Sequence, residues 1–222
     1  MPDSVEKILL IALGWLFGLL GPAFVNAINQ KREDKACRTA IFSELKLLAR
    51  VLTLAISSIR MYKANITDDH LHWAIKQLKR FSYPEDRKML ETLTQILEIP
   101  FDQRNSALMQ KRKPTDGLGL QKYPVPVLDS RVAAPYTFKT TEQVALLSIR
   151  THLGFLDDAV DRVRKFSDMT FQKHEGENYK LLRENVDTAL DDYARYAMQI
   201  VDRITDAIEA QRQSDVLTSS PF

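Results

Sequence analysis

The stretch Ile8 to Ile28, ILLIALGWLFGLLGPAFVNAI, holds no formally charged residue, and it limits what this chain can fold into more than any other feature. As a helix rising about 1.5 Å per residue it measures roughly 31 Å, against about 30 Å for the hydrocarbon core of a bilayer. In lipid every backbone N–H and C=O must be satisfied within the segment, so one isolated run of this kind is expected as a single membrane-spanning helix. Pro22 follows Gly21 near its far end, where a membrane helix tolerates a kink. Trp15 and Phe17 stand in mid-run, so no aromatic belt marks the interfaces.

The flanking charges set an expected orientation. Only Lys7 precedes the run, offset by Asp3 and Glu6, whereas Lys31, Arg32, Lys35, Arg38, Lys46 and Arg50 follow it. Basic residues are retained on the cytoplasmic side, which predicts a short external N-terminus and a cytoplasmic body. A cleaved secretory signal is the competing reading, because Val25-Asn26-Ala27 has the small-x-Ala look of a processing site and Ile8 to Leu20 fits an h-region. The nearly neutral n-region and the basic residues immediately after the cut favour the anchor. Gly14, Gly18 and Gly21 share one face of the run, and the Gly14-x-x-x-Gly18 spacing lets two membrane helices approach closely. The expected partners are therefore the lipid bilayer, a second copy of the chain, and a protein partner of unspecified identity.

The remainder reads as one folded body. With 31 basic and 29 acidic residues the net charge is only +2, so no strong field points to nucleic acid. A hydrophobic content of 45% is ordinary for a globular chain and argues against global disorder. Cys37 is the only cysteine, so no internal disulfide forms and packing must carry the fold. Its place just past the run also makes it a candidate for palmitoylation, with a small residue on a helix as the plainer reading.

Helical periodicity dominates. Ile41, Leu45, Leu48, Leu52, Ala55, Ile59 and Tyr62 alternate by four and three as a heptad seam, with a second apolar line at Leu47, Val51, Leu54 and Met61. That double pattern predicts a central bundle helix, continuous with the membrane run through Lys31 to Ala36. Thr67 before Asp68 and Asp69 predicts a helix start, with Leu71, Ile75, Leu78 and Phe81 on its inner face. Ser82 and Glu85 form a capping box with Pro84 early in the next helix, which buries Met89, Leu90, Leu93, Ile96 and Leu97 and stops before Pro100. Residues 99–141 then hold five of the nine prolines and the basic triplet Lys111-Arg112-Lys113, and read as a connecting loop in which Tyr123 to Val127 lies extended along the bundle. A capping box from Thr140 to Gln143 restarts helix, with Leu146, Ile149, Leu153, Leu156, Val160 and Val163 along its inner face. A last long helix from Glu177 carries Tyr179, Leu182, Val186, Ala189, Tyr193, Tyr196, Ile200, Ile204 and Ile208 on one side. Strand signals are nearly absent.

The expected architecture is all-α: a single N-terminal transmembrane helix followed by an antiparallel bundle with long heptad-patterned helices. Its parts are an anchor (1–30), a first helical part (31–98), the connecting loop (99–141), two long C-terminal helices (142–213) and a flexible tail (214–222). Candidate chemistry is thin. Asp69 and His72 stand three apart on one helical face beside Asp68 and His70, a spacing that ligates metals, yet the chain has no Glu-x-x-His motif of the di-metal bundles. There is no G-x-S-x-G elbow and no phosphate-binding Gly-rich loop before a helix. No catalytic residue, cofactor or metal is assigned. Tyr179, Tyr193 and Tyr196 are candidate partner anchors, with core packing as the competing reading. The expectation is a membrane-anchored, non-catalytic helical interaction or adaptor protein that self-associates. A metal-dependent enzyme using Asp69 and His72, and a membrane-disrupting effector, are the alternatives.

Overall fold

In the computed structural model the described residues are 2–81, 83–111, 118, 120–131, 138–170 and 177–219, with side chains described for 25–81, 83–109, 118, 120–130, 138–170 and 178–213. Among them there is no strand. The α-helices are α1 (Pro2–Tyr62), α2 (Asp68–Arg80), α3 (Arg87–Glu98), α4 (Phe101–Lys111), α5 (Pro126–Arg131), α6 (Thr140–Thr170) and α7 (Glu177–Ser219), with one 3-10 turn at Pro84–Asp86. The chain divides into two compact units, Met1–Ile41 and Phe42–Phe222.

The first unit is helical backbone from Pro2 onward. Val25 and Ile28 are exposed, and Cys37 is a half-buried free thiol. Among the described residues no helix is long and apolar enough to cross a membrane. The side chains of residues 8–24, which make up most of the expected span, lie outside the described residues, and Gly14, Gly18 and Gly21 lie there with them.

The second unit holds most of the buried core. The C-terminal part of α1 buries Leu45, Leu48, Leu52 and Ile59 as the heptad spacing predicts, although Ile56 rather than Ala55 fills the seam between the last two. The second apolar line is real only toward its end. Leu54 and Met61 pack on a cluster of Ile66, Leu71, Ala74, Leu78, Leu93 and Ile96, whereas Leu47 is half exposed because that cluster begins further along the chain. A left-handed Ala64 (φ 48°) ends α1, with Asn65 N–H donating to the Arg60 carbonyl (3.1 Å) and Ala64 N–H to the Met61 carbonyl (3.1 Å). This is a Schellman closure with alanine where glycine is usual.

Thr67 caps α2 as expected, its hydroxyl accepting from His70 N–H at 3.2 Å. Ser82 of the next expected capping box lies outside the described residues, and the carboxylate that accepts from Tyr83 N–H (3.3 Å) is Asp86, not Glu85. Asp86 is 2% exposed and bound by the Arg50 guanidinium of α1 at 2.7 Å. A buried carboxylate needs such a partner, and the pair fastens the α2–α3 connection to α1.

The stretch 99–141 differs from the loop expected of it, since α4 and α5 both lie inside it. Its prolines punctuate helix starts instead of excluding helix: the Pro100 carbonyl accepts from Arg104 N–H (3.0 Å) to open α4, and Pro126 is the first residue of α5. Residues 120–125 are non-helical and run antiparallel to α6, as Lys122 with Asp161 (2.7 Å), the Leu120 carbonyl with Arg164 (3.2 Å) and Asp129 with Arg150 (2.5 Å) establish. Helix α6 begins at Thr140, where the sequence predicts that helix restarts, and Glu142 accepts from Lys139 N–H at 3.1 Å across that start.

α6 and α7 pack antiparallel, joined by Arg162 and Asp192 (2.9 Å). All six inner residues expected on α6 are buried, and on α7 so are Leu182, Ala189, Tyr193, Ile200, Ile204 and Ile208. α7 continues to Ser219 because neither glycine nor proline interrupts it before Pro221, so helical backbone covers most of the expected tail. α2 lies parallel to α7, with Trp73 donating to Asp202 (3.1 Å), Thr205 to Gln77 (3.2 Å), and Arg80 paired with Glu209.

Candidate interaction surface

A helix with one inner face should be polar on the other, yet the outer face of α6 is not. Val144 (61% exposed), Leu147 (50%) and Phe155 (45%) follow one another at steps of three and eight, with Thr151 between the last two, so that all fall within one arc of the helix. The Phe155 ring leans on Tyr196 of α7 at 5.7 Å, and His152 meets it edge-on at 5.8 Å. The Arg195 guanidinium sits 5.0 Å over the Tyr196 ring. Asp192 fixes this arginine at 2.5 Å while holding Arg162 at 2.9 Å.

The sequence of α6 dictates this arrangement. Its inner residues recur at three and four, which leaves Val144, Leu147, Thr151 and Phe155 as a second stripe nearly half a turn away. α7, antiparallel, delivers Tyr196 to the level of Phe155 just as it delivers Asp192 to the level of Arg162. The result is a half-exposed aromatic group with a stacked arginine and an aliphatic extension. Aromatic residues and arginine are the side chains enriched in interface cores and at energetic hot spots, the rings because they bury a large area with few torsions to fix and arginine because its planar guanidinium both stacks and donates several hydrogen bonds. That composition is the one found at the centres of protein–protein interfaces.

The expected anchors divide. Tyr196 belongs to the cluster. Tyr179 is 42% exposed near the start of α7, with Arg183 lying 5.9 Å from its ring centre. Tyr193 is 0% exposed, a core residue whose hydroxyl lies against that of Tyr123. Burial first, then the Tyr123 hydroxyl and the Asp157 carboxyl, push the Tyr193 pKa well above its ordinary value.

Of the candidate metal residues, Asp69 is exposed, and His70 and His72 point apart. His70 turns into the core, its Nε2 at 3.4 Å from the Ser57 hydroxyl and its Nδ1 without a partner. Burial, reinforced by Arg60, lowers its pKa to about 4, so the ring is neutral. His72 points outward, with Nδ1 engaged by the Asp68 carbonyl at 2.8 Å. Asp68 itself pairs with Arg104 at 2.5 Å. Among the described residues no group of three His, Cys, Asp or Glu side chains is placed to hold a metal ion.

Sequence reasoning did not single out Phe155 or Arg195. The α6 stripe was legible as spacing, but attention to the stronger inner series concealed it, and the Arg195 stack follows from the residue next to an expected anchor. Comparison of the chain with known protein families, with characterised proteins and with solved structures finds no match.

Proposed function

We propose that this chain is a membrane-anchored, non-catalytic helical interaction protein that self-associates, with the outer face of the α6–α7 hairpin as its contact surface. The observation that carries the reading is the exposed patch of Val144, Leu147, Phe155, Tyr196 and Arg195 on an otherwise solvated hairpin. The anchor rests on the uncharged run Ile8 to Ile28 and on the basic residues after it, with Gly14, Gly18 and Gly21 as the close-packing face. A second copy suits the patch because anchored chains share one plane and one orientation. Their effective concentration is then high enough for a modest surface to suffice.

Two measurements on the full chain in membranes test this. With Cys37→Ala as background, Ser4→Cys should be labelled from outside intact cells and Val216→Cys should not. The reverse pattern, or extraction of the chain by alkaline carbonate, overturns the anchor. Cross-linking should then trap dimers, and Leu147→Ala with Phe155→Ala should weaken them by about tenfold, the effect of losing roughly 1.4 kcal/mol of contact. Unchanged dimers place self-association elsewhere, and a chain that is monomeric throughout removes it.

A further inference from the structure

Between the 122–129 segment and α6 lies a cleft of about 180 Å³. Val125 and Leu153, both 2% exposed, form its apolar floor, with the Tyr123 side chain and Pro124 beside them. Lys122, Asp129 and Arg150 stand at the rim, each roughly half exposed. Their charges are spent locally, since Lys122 pairs with Asp161 at 2.7 Å and Arg150 with Asp129 at 2.5 Å.

Asp157, on the cleft wall, is different. Its Oδ1 is buried and accepts no hydrogen bond. Burial raises its pKa; Lys122 and Arg150 oppose that rise, and Asp161 and Asp158 add to it. Lys122 and Arg150 are each paired with another carboxylate, so an ionised Asp157 has no salt-bridge partner of its own at the cleft. Close by, the Tyr193 hydroxyl is buried and is coupled to both the Tyr123 hydroxyl and Asp157. A buried acceptor without a donor is costly, and what is missing here is a donor that carries positive charge.

The volume fixes the size of that donor. At about 30 Å³ each the cleft takes about six waters, and a dry cavity of about 150 Å³ is known to accept a benzene ring. We propose that the cleft binds a small organic cation, a primary ammonium on a short apolar or aromatic stem, with the ammonium donating to Asp157 and the stem resting on Val125, Leu153 and the Tyr123 ring. An anion finds no free cation here, because Lys122 and Arg150 are engaged. This inference is independent of the membrane and self-association readings.

Ligand-observed NMR on the full chain tests it with three probes of one shape: benzylammonium, benzyl alcohol and benzoate. Benzylammonium is expected to bind with a Kd of about 1 mM, the range open to a ligand of this size. Benzyl alcohol should bind at least about tenfold more weakly, and benzoate should show no binding; the alcohol also reports partitioning into detergent. Asp157→Asn, which keeps the shape and removes the charge, should lose benzylammonium binding while its circular dichroism and melting stay those of a folded chain. Binding of benzoate or the alcohol as tight as that of benzylammonium overturns the proposal. So does no saturable binding of benzylammonium, and so does binding that survives Asp157→Asn. Should that variant unfold, the ranking of the three probes on the unaltered chain decides alone.

Discussion

His70 shows what one buried side chain does to the whole. It lies in the core beside Trp73, with ring centres 5.6 Å apart, and it is neutral because burial lowers its pKa to about 4 from 6.5. The unfolded chain takes up a proton as pH falls below about 6.5, and the folded chain does so only near 4. Between those values the unfolded state binds more protons, so stability declines as pH drops, by up to about 3 kcal/mol from this residue. Melting temperature should therefore fall between pH 6.5 and 4, and His70→Gln should flatten that slope whatever it does to stability at neutral pH. A slope that persists in His70→Gln assigns the effect to other groups. Asp157 works with the opposite sign: a carboxyl with a raised folded pKa is stabilised on acidification, so Asp157→Asn should steepen the decline.

At the level of elements, the segment from 120 to 131 is held by partners far away in sequence. The α5 N-terminus is capped by Glu44 of α1, whose carboxylate accepts from Val127 N–H (3.1 Å) and Leu128 N–H (2.8 Å). A six-residue helix cannot sustain itself, and losing a cap costs about 1 kcal/mol. Glu44→Ala should therefore raise amide exchange at residues 127–130 by about fivefold, while Glu44→Gln, which keeps an acceptor, should raise it less. Exchange unchanged in Glu44→Ala would mean the segment is held by its ion pairs to α6 alone. Contacts of this kind mark the limit of legibility. The inner series of α6, the Thr67 cap and the all-helical class follow from local spacing and cap chemistry. Arg104 does not: it reads as a loop cation, yet it is 2% exposed, with Nη2 donating to the Ile99 carbonyl (2.9 Å) and the Leu97 carbonyl (3.3 Å) at the end of α3. Its burial depends on where α3 ends and α2 passes, which no short window contains. Phe155 and Tyr196 fall between these cases, since each helix declared its own face but only the antiparallel pairing joins them.

For the molecule as a whole, the division at Ile41 separates a helical leader from a body with its own core. Leu52, Leu93, Leu156 and Ile200 are all 0% exposed and belong to Phe42–Phe222. A fragment of residues 42–222 should accordingly be helical by circular dichroism and unfold in one cooperative transition. A broad, non-cooperative melt would show that the body needs the preceding residues. The links between α1 or α2 and α7 carry one more consequence. Lys63, Trp73, Gln77 and Arg80 find their partners 128 or 129 residues further along the chain. Ribosomes add about 5–20 residues per second, so these faces stay wet for about 6–25 s after they are made. Throughout that interval Trp73, Gln77 and Arg80 are surfaces for chaperones rather than for α7. Translation speed thus governs how long this protein is exposed to misassembly, and the earliest part of the body to emerge closes only when the ribosome has passed Glu209.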